Sequence, residues 1–136
     1  MKDKMRVLYL PVNKFAKIIE VDIKSDRLKA LQNLVSNRGE KSLIELVSIE
    51  QGVFAVVNEE GLINGSTLNR AIYDEYGNMI TIAGGNAFLC GDNGYELIDI
   101  PSEVVDKYLS KYYYPEIFIR NEEGKILPIK YIPENK

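Results

Sequence analysis

The sequence predicts an α+β fold: a mostly antiparallel sheet with about two packed helices and a C-terminal β-hairpin. Short apolar runs bounded by Gly, Asn and Pro recur along the chain, which is typical of strands joined by turns. Two other segments carry apolar residues at helical spacing, and two apolar runs flank an Asn-Glu-Glu-Gly turn near the C-terminus. The 136 residues are the length of one domain, so we expect a single domain over residues 1–136.

The N-terminal part predicts a hairpin followed by a helix. Arg6–Leu10 and Ala16–Val21 are apolar runs separated by a polar turn that contains a proline. Ser25 is a candidate N-cap for the helix, which we expect to end within residues 37–39. Four apolar residues share one face of this helix by their spacing: Leu28, Leu31, Leu34 and Val35.

The middle of the chain predicts further strands. Residues 42–48 and 51–57 are strand-like, and the continuous apolar character of the second predicts a central strand covered on both faces. A turn is predicted over residues 64–67, and Leu68–Tyr73 is either a short strand or a single helical turn. Gly84 and Gly85 interrupt the next strand pattern, which indicates a bulge or a place where something approaches the backbone closely.

The C-terminal part predicts a second helix and a last hairpin. The helix begins at residues 101–102, carries apolar residues at helical spacing as far as Tyr112, and ends before Pro115. Residues 116–132 follow as a hairpin, and Pro128 predicts that its second strand lies at an edge. We expect this hairpin to cap the domain or to pair with another subunit, which would make the protein a homo-oligomer.

The composition excludes several kinds of chemistry. The chain has no histidine, which excludes Ser-His-Asp and Cys-His nucleophiles and His-ligated metals. Its one cysteine, Cys90, excludes an intrachain disulfide or a thiolate metal cage, and its apolar surroundings predict a small buried side chain. We therefore predict no catalytic residue, no metal and no cofactor.

Charge and hydropathy limit the partners and the cellular location that we expect. The net charge of -3 argues against broad, non-specific binding of nucleic acid. No apolar run approaches the ~20 residues that a membrane-spanning helix needs. We expect no membrane partner and a cytoplasmic location.

The central block of the sequence resembles a known family. Residues 58–91 read NEEGLINGSTLNRAIYDEYGNMITIAGGNAFLCG. This block is similar to the domain of unknown function 3846 family, and these positions match its pattern: Asn58, Gly61, Asn69, Arg70, Gly77, Gly84, Phe88 and Gly91. The resemblance covers residues 6–112 and leaves the hairpin at 116–132 as an extension. It implies an accessory protein of a bacteriophage or mobile element, acting in the host cytoplasm, with no established catalytic residues.

Six residues are candidate ligand contacts: Asn69, Arg70, Gly84, Gly85, Asn86 and Tyr112. The Arg70 guanidinium suits bidentate recognition of phosphate or carboxylate, and Asn69 beside it suits a base or ribose edge. Their alternative role is structural, with Arg70 bound to a sheet carboxylate or to turn carbonyls and Asn69 holding a left-handed turn. The Gly84–Asn86 segment suits either an anion or a bulge, and Tyr112 suits either base stacking or core packing.

Three functions fit these expectations. The first is a non-catalytic accessory protein that counters host defence by binding a host protein. The second is a sponge that sequesters a nucleotide-derived immune signal at the six candidate residues. A carboxylate- or metal-dependent enzyme is the third and ranks last, because no motif supports it.

Overall fold

The computed structural model describes residues 3–36, 43–61 and 67–134. The predicted helix end at residues 37–39, the start of the predicted strand at residue 42 and most of the predicted turn at 64–67 lie outside these ranges. The helices and strands follow in this order: β1 Lys4–Leu10, β2 Lys17–Asp22, α1 Arg27–Val35, β3 Ile44–Glu50, β4 Val53–Asn58, β5 Leu68–Tyr73, β6 Met79–Gly84, β7 Ala87–Asp92, β8 Leu97–Ile98, α2 Ser102–Tyr112, β9 Glu116–Arg120 and β10 Ile126–Lys130. The structure is a mostly antiparallel sheet protein with two helices and a C-terminal strand pair, in agreement with the predicted class.

The main sheet has the strand order β2-β1-β7-β4-β3, and β8 pairs with the end of β7. All of these pairings are antiparallel. Strand β7 lies between β1 and β4, and its residues from Ala87 to Gly91 are buried. The continuous apolar run in β4 is also mostly buried, as expected for an inner strand.

The two helices cover opposite faces of the main sheet. Alternate residues of a strand point to opposite faces. Met5 and Val7 of β1 belong to the core cluster that contains Leu31 of α1. Leu8 and Leu10 of β1 belong instead to the cluster that contains Tyr108 and Tyr112 of α2. The protein therefore has two apolar layers, one on each side of β1.

Helix α1 differs from the prediction at its start and on its apolar face. Asp26, not Ser25, is the N-cap, and its carboxylate accepts a hydrogen bond from the Lys29 amide at 3.1 Å. Leu31 and Val35 are buried, but Leu28 is 57 % exposed. Helical spacing fixes the direction of a side chain around the axis, but it does not determine whether the sheet extends beneath that turn.

Strands β5 and β6 form a separate two-stranded sheet. Leu68–Tyr73, which the sequence left undecided, is therefore a strand. Gly85 has φ 82° and its amide donates to the Thr67 carbonyl at 2.8 Å, so it forms the turn that leads from β6 to β7. Of the two alternatives predicted for Gly84 and Gly85, the bulge is wrong, because Gly85 forms this turn between two sheets, whereas the close approach is present at Gly84, whose backbone lies against Gly61. The irregular pairing lies in the β5–β6 ladder, between Leu68 and Ala71 and between Ile72 and Tyr73.

Strands β9 and β10 form the predicted hairpin after α2. Among the residues that the structure describes, β10 pairs with β9 alone, so Pro128 lies in an edge strand. Ile117 is paired with Ile129, and Ile119 with Leu127, in one row on one face of the hairpin. The three isoleucines of this row are exposed. None of the described helices is long and apolar enough to cross a membrane.

Candidate functional site

Arg70 is fully buried, and its guanidinium is saturated by the protein itself. Each of its five N–H groups has one acceptor within 3.3 Å: the carbonyl oxygens of Pro11, Lys14, Tyr112 and Tyr113, and the side-chain oxygen of Asn69. A guanidinium has only these five donors. Arg70 therefore has the structural role that the sequence left open, with turn carbonyls as its partners, and it presents no free donor to a ligand.

The charge of Arg70 is retained in this buried place. Burial lowers the pKa of the guanidinium to about 10, and the nearby Glu116 carboxylate opposes that shift. The side chain is therefore positive at neutral pH. Glu116 is itself buried and accepts a hydrogen bond from the Ala71 amide at 2.8 Å, which ties the C-terminal hairpin to β5.

Asn69 is also buried and has a matching structural role. Its side-chain nitrogen donates to the Leu10 carbonyl at 2.7 Å and to the Gly85 carbonyl at 3.0 Å. It does not form a left-handed turn; in the described residues Asn13 is the only non-glycine with positive φ. Through these hydrogen bonds, the buried side chains of Asn69 and Arg70 hold both the turn after β1 and the turn after β6 in place.

Gly84 and Tyr112 are core residues as well. A Cβ atom added at Gly61 would lie 2.3 Å from the Gly84 carbonyl oxygen, so these two glycines allow a close backbone contact. Tyr112 is buried, and its hydroxyl oxygen accepts from the Tyr73 amide at 3.1 Å. Burial raises the pKa of Tyr112 to about 12. Neither residue offers a surface to a ligand.

Gly85 and Asn86, in contrast, line a cleft that opens to solvent. Two adjoining hollows of about 310 Å³ and about 230 Å³ share Val12 and Asn86, and we call them together the Asn86 cleft. The first hollow is lined by Tyr9, Pro11, Val12, Lys14, Lys17 and Asn86. The second is lined by Val12, Val35, Ser36, Thr67, Gly85 and Asn86. Of the six candidates from the sequence, the structure places two at this cleft and puts Asn69 and Arg70 beneath its walls.

The charge of the Asn86 cleft is positive, although the whole chain carries -3. Lys14 and Lys17 are the only charged side chains among the described residues that line it, and neither forms an ion pair within the described ranges. Tyr9 lies directly opposite Lys17 in the β1–β2 ladder. Burial raises the pKa of Tyr9, and a hydrogen bond with Asn86 partly offsets the increase. The cleft thus offers two ammonium groups and a phenol hydroxyl that stays protonated at neutral pH.

Asn86 gives the cleft a fixed centre. Its side-chain oxygen accepts from the Val12 amide at 2.9 Å. The turn after β1 and the residue just before β7 are therefore joined at one side chain. A site held by such cross-links does not have to reorganise when a ligand binds.

A larger groove of about 560 Å³ lies at the other end of β1, next to Lys4 and Met5. Its charges balance one another: Lys4 and Arg27 are positive, and Glu96 and Asp99 are negative. Arg27 forms an ion pair with Glu96 at 2.6 Å and donates to the Leu97 carbonyl at 3.1 Å. The groove is larger, but its neutralised charges make it a poorer anion site than the Asn86 cleft.

The sequence did not identify Tyr9, Lys14 or Lys17 as site residues. They belong to the first hairpin, and only the pairing of β1 with β7 brings them next to Asn86. The one signal in the sequence was a pair of lysines around that hairpin turn in an acidic chain. Lysine is so common on surfaces that this signal is weak.

A protein-family comparison covers most of the chain. A family described as a domain of unknown function (DUF3846) matches residues 5–113. The chain belongs to that family. The match ends just after α2, so the DUF3846 region contains all the residues that line the Asn86 cleft, whereas β9 and β10 lie outside it. No curated protein and no solved structure matches the chain.

Proposed function

We propose that this protein is a non-catalytic binding protein that sequesters a small anionic ligand in the Asn86 cleft. We propose further that it is an accessory protein of a phage or mobile element, and that its biological role is to remove a nucleotide-derived signal of host defence. The observation that supports the binding role is that Lys14 and Lys17 line the cleft beside Asn86 and form no ion pair with any residue that the structure describes. Ammonium groups bind phosphate as point charges, and a phenol hydroxyl adds a directed donor.

The rigidity of the cleft walls supports a holding role. The carbonyls of Pro11 and Lys14 accept from Arg70 at 2.8 Å and 2.7 Å, and the Gly85 carbonyl accepts from Asn69 at 3.0 Å. These bonds fix both turns before a ligand arrives. Preorganisation of this kind increases affinity because less conformational entropy is lost on binding.

The experiment measures binding of inorganic pyrophosphate and of nucleotides by titration calorimetry at low salt. We expect the double variant Lys14→Gln/Lys17→Gln to weaken binding at least about tenfold, since two charge contacts are lost. The control Lys24→Gln/Lys29→Gln makes the same change in net charge at two exposed lysines away from the cleft. It should bind as the parent protein does. Equal losses in both double variants, or no binding by the parent protein, would refute the proposal.

Binding to a host protein is the second candidate function. The exposed isoleucines of the hairpin row, Ile117, Ile119 and Ile129, support it, because contiguous apolar side chains on a surface are typical of protein contacts. The double variant Ile117→Asp/Ile129→Asp should then lose a specific partner in pull-downs from host lysate. The matched control is Lys125→Asp at the exposed turn of the same hairpin. If the variant and the control recover the same proteins as the parent chain, the hairpin is not a docking surface.

A further inference from the structure

The two hollows of the Asn86 cleft lie on one face of the main sheet. Tyr9, in the first hollow, packs against the core cluster between α1 and the sheet, and Val35, in the second hollow, belongs to that cluster. Lys17 is directly opposite Tyr9 in the β1–β2 ladder, so its side chain points to the same face. Val12 and Asn86 line both hollows. One ligand on the α1 side of the sheet can therefore contact both hollows.

The second hollow differs from the first in its charge. Lys14 and Lys17 line the first hollow, whereas no charged side chain of the described residues lines the second. Two hydroxyl-bearing residues, Ser36 and Thr67, line the second hollow together with Asn86 and small or apolar residues. None of its described lining residues is aromatic. The second hollow is therefore suited neither to a second phosphate nor to the stacking of a base.

The second hollow presents hydrogen-bond acceptors to a ligand. The Ser36 hydroxyl donates to the Gln32 carbonyl at 2.6 Å, so the lone pairs of its oxygen remain for a ligand donor. Thr67 is exposed, and its hydroxyl has no hydrogen-bond partner among the described residues. Ser36 directly follows the last residue of α1, where the helix dipole is negative. Hydroxyl donors are therefore favoured in this hollow, and a second anion is disfavoured.

We infer that the ligand of the Asn86 cleft is a phosphorylated sugar, with its phosphate at Lys14 and Lys17 and its hydroxyl groups at Ser36 and Thr67. A sugar phosphate has the two parts that the cleft separates, which are an anion at one end and neutral hydroxyl groups at the other. This inference rests on the anion site proposed above and adds the chemical class of the ligand. A free sugar phosphate and the ribose phosphate of a nucleotide share this chemistry.

The experiment compares methyl phosphate, ribose 5-phosphate and AMP by NMR titration at low salt. Methyl phosphate carries the same charged group as ribose 5-phosphate but has no hydroxyl groups on its carbon. We expect ribose 5-phosphate to bind at least about fivefold more tightly than methyl phosphate, since hydrogen bonds to the sugar hydroxyls add to the charge contacts.

Thr67→Val is the test variant, because it removes one hydroxyl and keeps the branched shape of the side chain. It should weaken the binding of ribose 5-phosphate at least about threefold and leave the binding of methyl phosphate unchanged. The matched control is Thr81→Val, which removes a hydroxyl from a residue of β6 that does not line the cleft. The control should bind both ligands as the parent protein does, and thermal melting verifies the fold of both variants.

The outcomes separate the sugar contact from the anion site. Equal binding of methyl phosphate and ribose 5-phosphate, with no effect of Thr67→Val, would overturn the sugar contact while the anion site stands. Failure of both ligands to bind would overturn the anion site itself. AMP binding that equals that of ribose 5-phosphate and falls equally in Thr67→Val would identify the ribose phosphate of a nucleotide as the ligand, whereas weaker AMP binding would identify a free sugar phosphate. Tighter AMP binding that Thr67→Val leaves unchanged would overturn the inference.

Discussion

Arg70 donates a hydrogen bond from Nη1 to the side-chain oxygen of its own neighbour, Asn69, at 2.7 Å. Consecutive residues of a regular strand point to opposite faces and do not meet in this way. Here the ladder between β5 and β6 changes register between Leu68 and Ala71, the interval that contains both residues. The irregularity allows both side chains to turn beneath the Asn86 cleft, so that the defect in the ladder serves to build the site.

Replacement of Arg70 should lower the free energy of unfolding of the protein. Arg70→Met removes five hydrogen bonds and leaves buried carbonyls unsatisfied, so we expect a loss of about 3–5 kcal/mol in the free energy of unfolding. Arg70→Lys keeps the charge but supplies three donors instead of five. Its free energy of unfolding should lie between those of the parent protein and Arg70→Met. Urea denaturation measures both. Arg120→Met, at an exposed arginine that donates to the Gly124 carbonyl, is the control and should cost less than about 1 kcal/mol. A similar small loss for Arg70→Met would contradict the structural role.

The Gly61–Gly84 contact leads to a second prediction. Gly61→Ala places a methyl group 2.3 Å from a backbone oxygen, so the turn after β6 has to move, at a cost of about 1–3 kcal/mol. The movement should also weaken ligand binding, because Gly85 lines the cleft. Gly124→Ala is a useful comparison, since its φ of 82° strains an alanine but nothing lies within 4 Å of the added atom. Loss of binding in Gly124→Ala as well would point to a general effect of stability.

The sequence was informative about elements whose signals are local. Apolar runs and turn residues predicted most strands, including the final hairpin, and helical spacing predicted both helices. The sequence could not decide β5, because buried polar residues hide the pattern of a strand, and the role of Arg70 depends on partners that are 42 to 59 residues away, apart from Asn69. For the same reason the cleft was found only in part: Gly85 and Asn86 were identified from their own turn, whereas the lysines approach them through the fold.

The Glu50–Tyr108 hydrogen bond predicts a dependence of stability on pH. Hydrogen bonds from Lys107 and Tyr108 lower the pKa of Glu50 from its ordinary value of 4.5. A lowered folded-state pKa stabilises the protein above pH 4.5, and the contribution disappears as the pH falls through the folded-state value. Glu50→Gln should therefore cost about 1 kcal/mol at pH 7 and almost nothing at about pH 2. Denaturant titrations measure both, and Glu45→Gln, at an exposed site in the same strand, is the control for the removal of one carboxylate. A constant difference between Glu50→Gln and the parent protein would contradict the contact.

Cys90 should be unreactive in the folded protein. Its side chain is fully buried in β7, and burial raises the pKa of the thiol to about 12. Because the thiolate is the reactive form, we expect an aromatic disulfide reagent to react at least about 100-fold more slowly with native than with denaturant-unfolded protein. The release of the coloured thiol measures both rates. Rapid stoichiometric reaction of the native protein would show that β7 opens easily.

The partners of Arg70 also determine the order in which parts of the fold can form during synthesis. Lys14 lies near the beginning of the chain, but the turn that carries it is anchored through Arg70 to Tyr112, 42 residues further on than Arg70 itself. During synthesis, the first hairpin therefore leaves the ribosome long before the anchor of its turn has been made. A fragment that stops ahead of α2 should leave the Ala16 amide, which donates to the Tyr113 carbonyl in the full chain, open to hydrogen exchange and should capture no ligand. Only a chain that includes α2 would then hold a ligand in the Asn86 cleft.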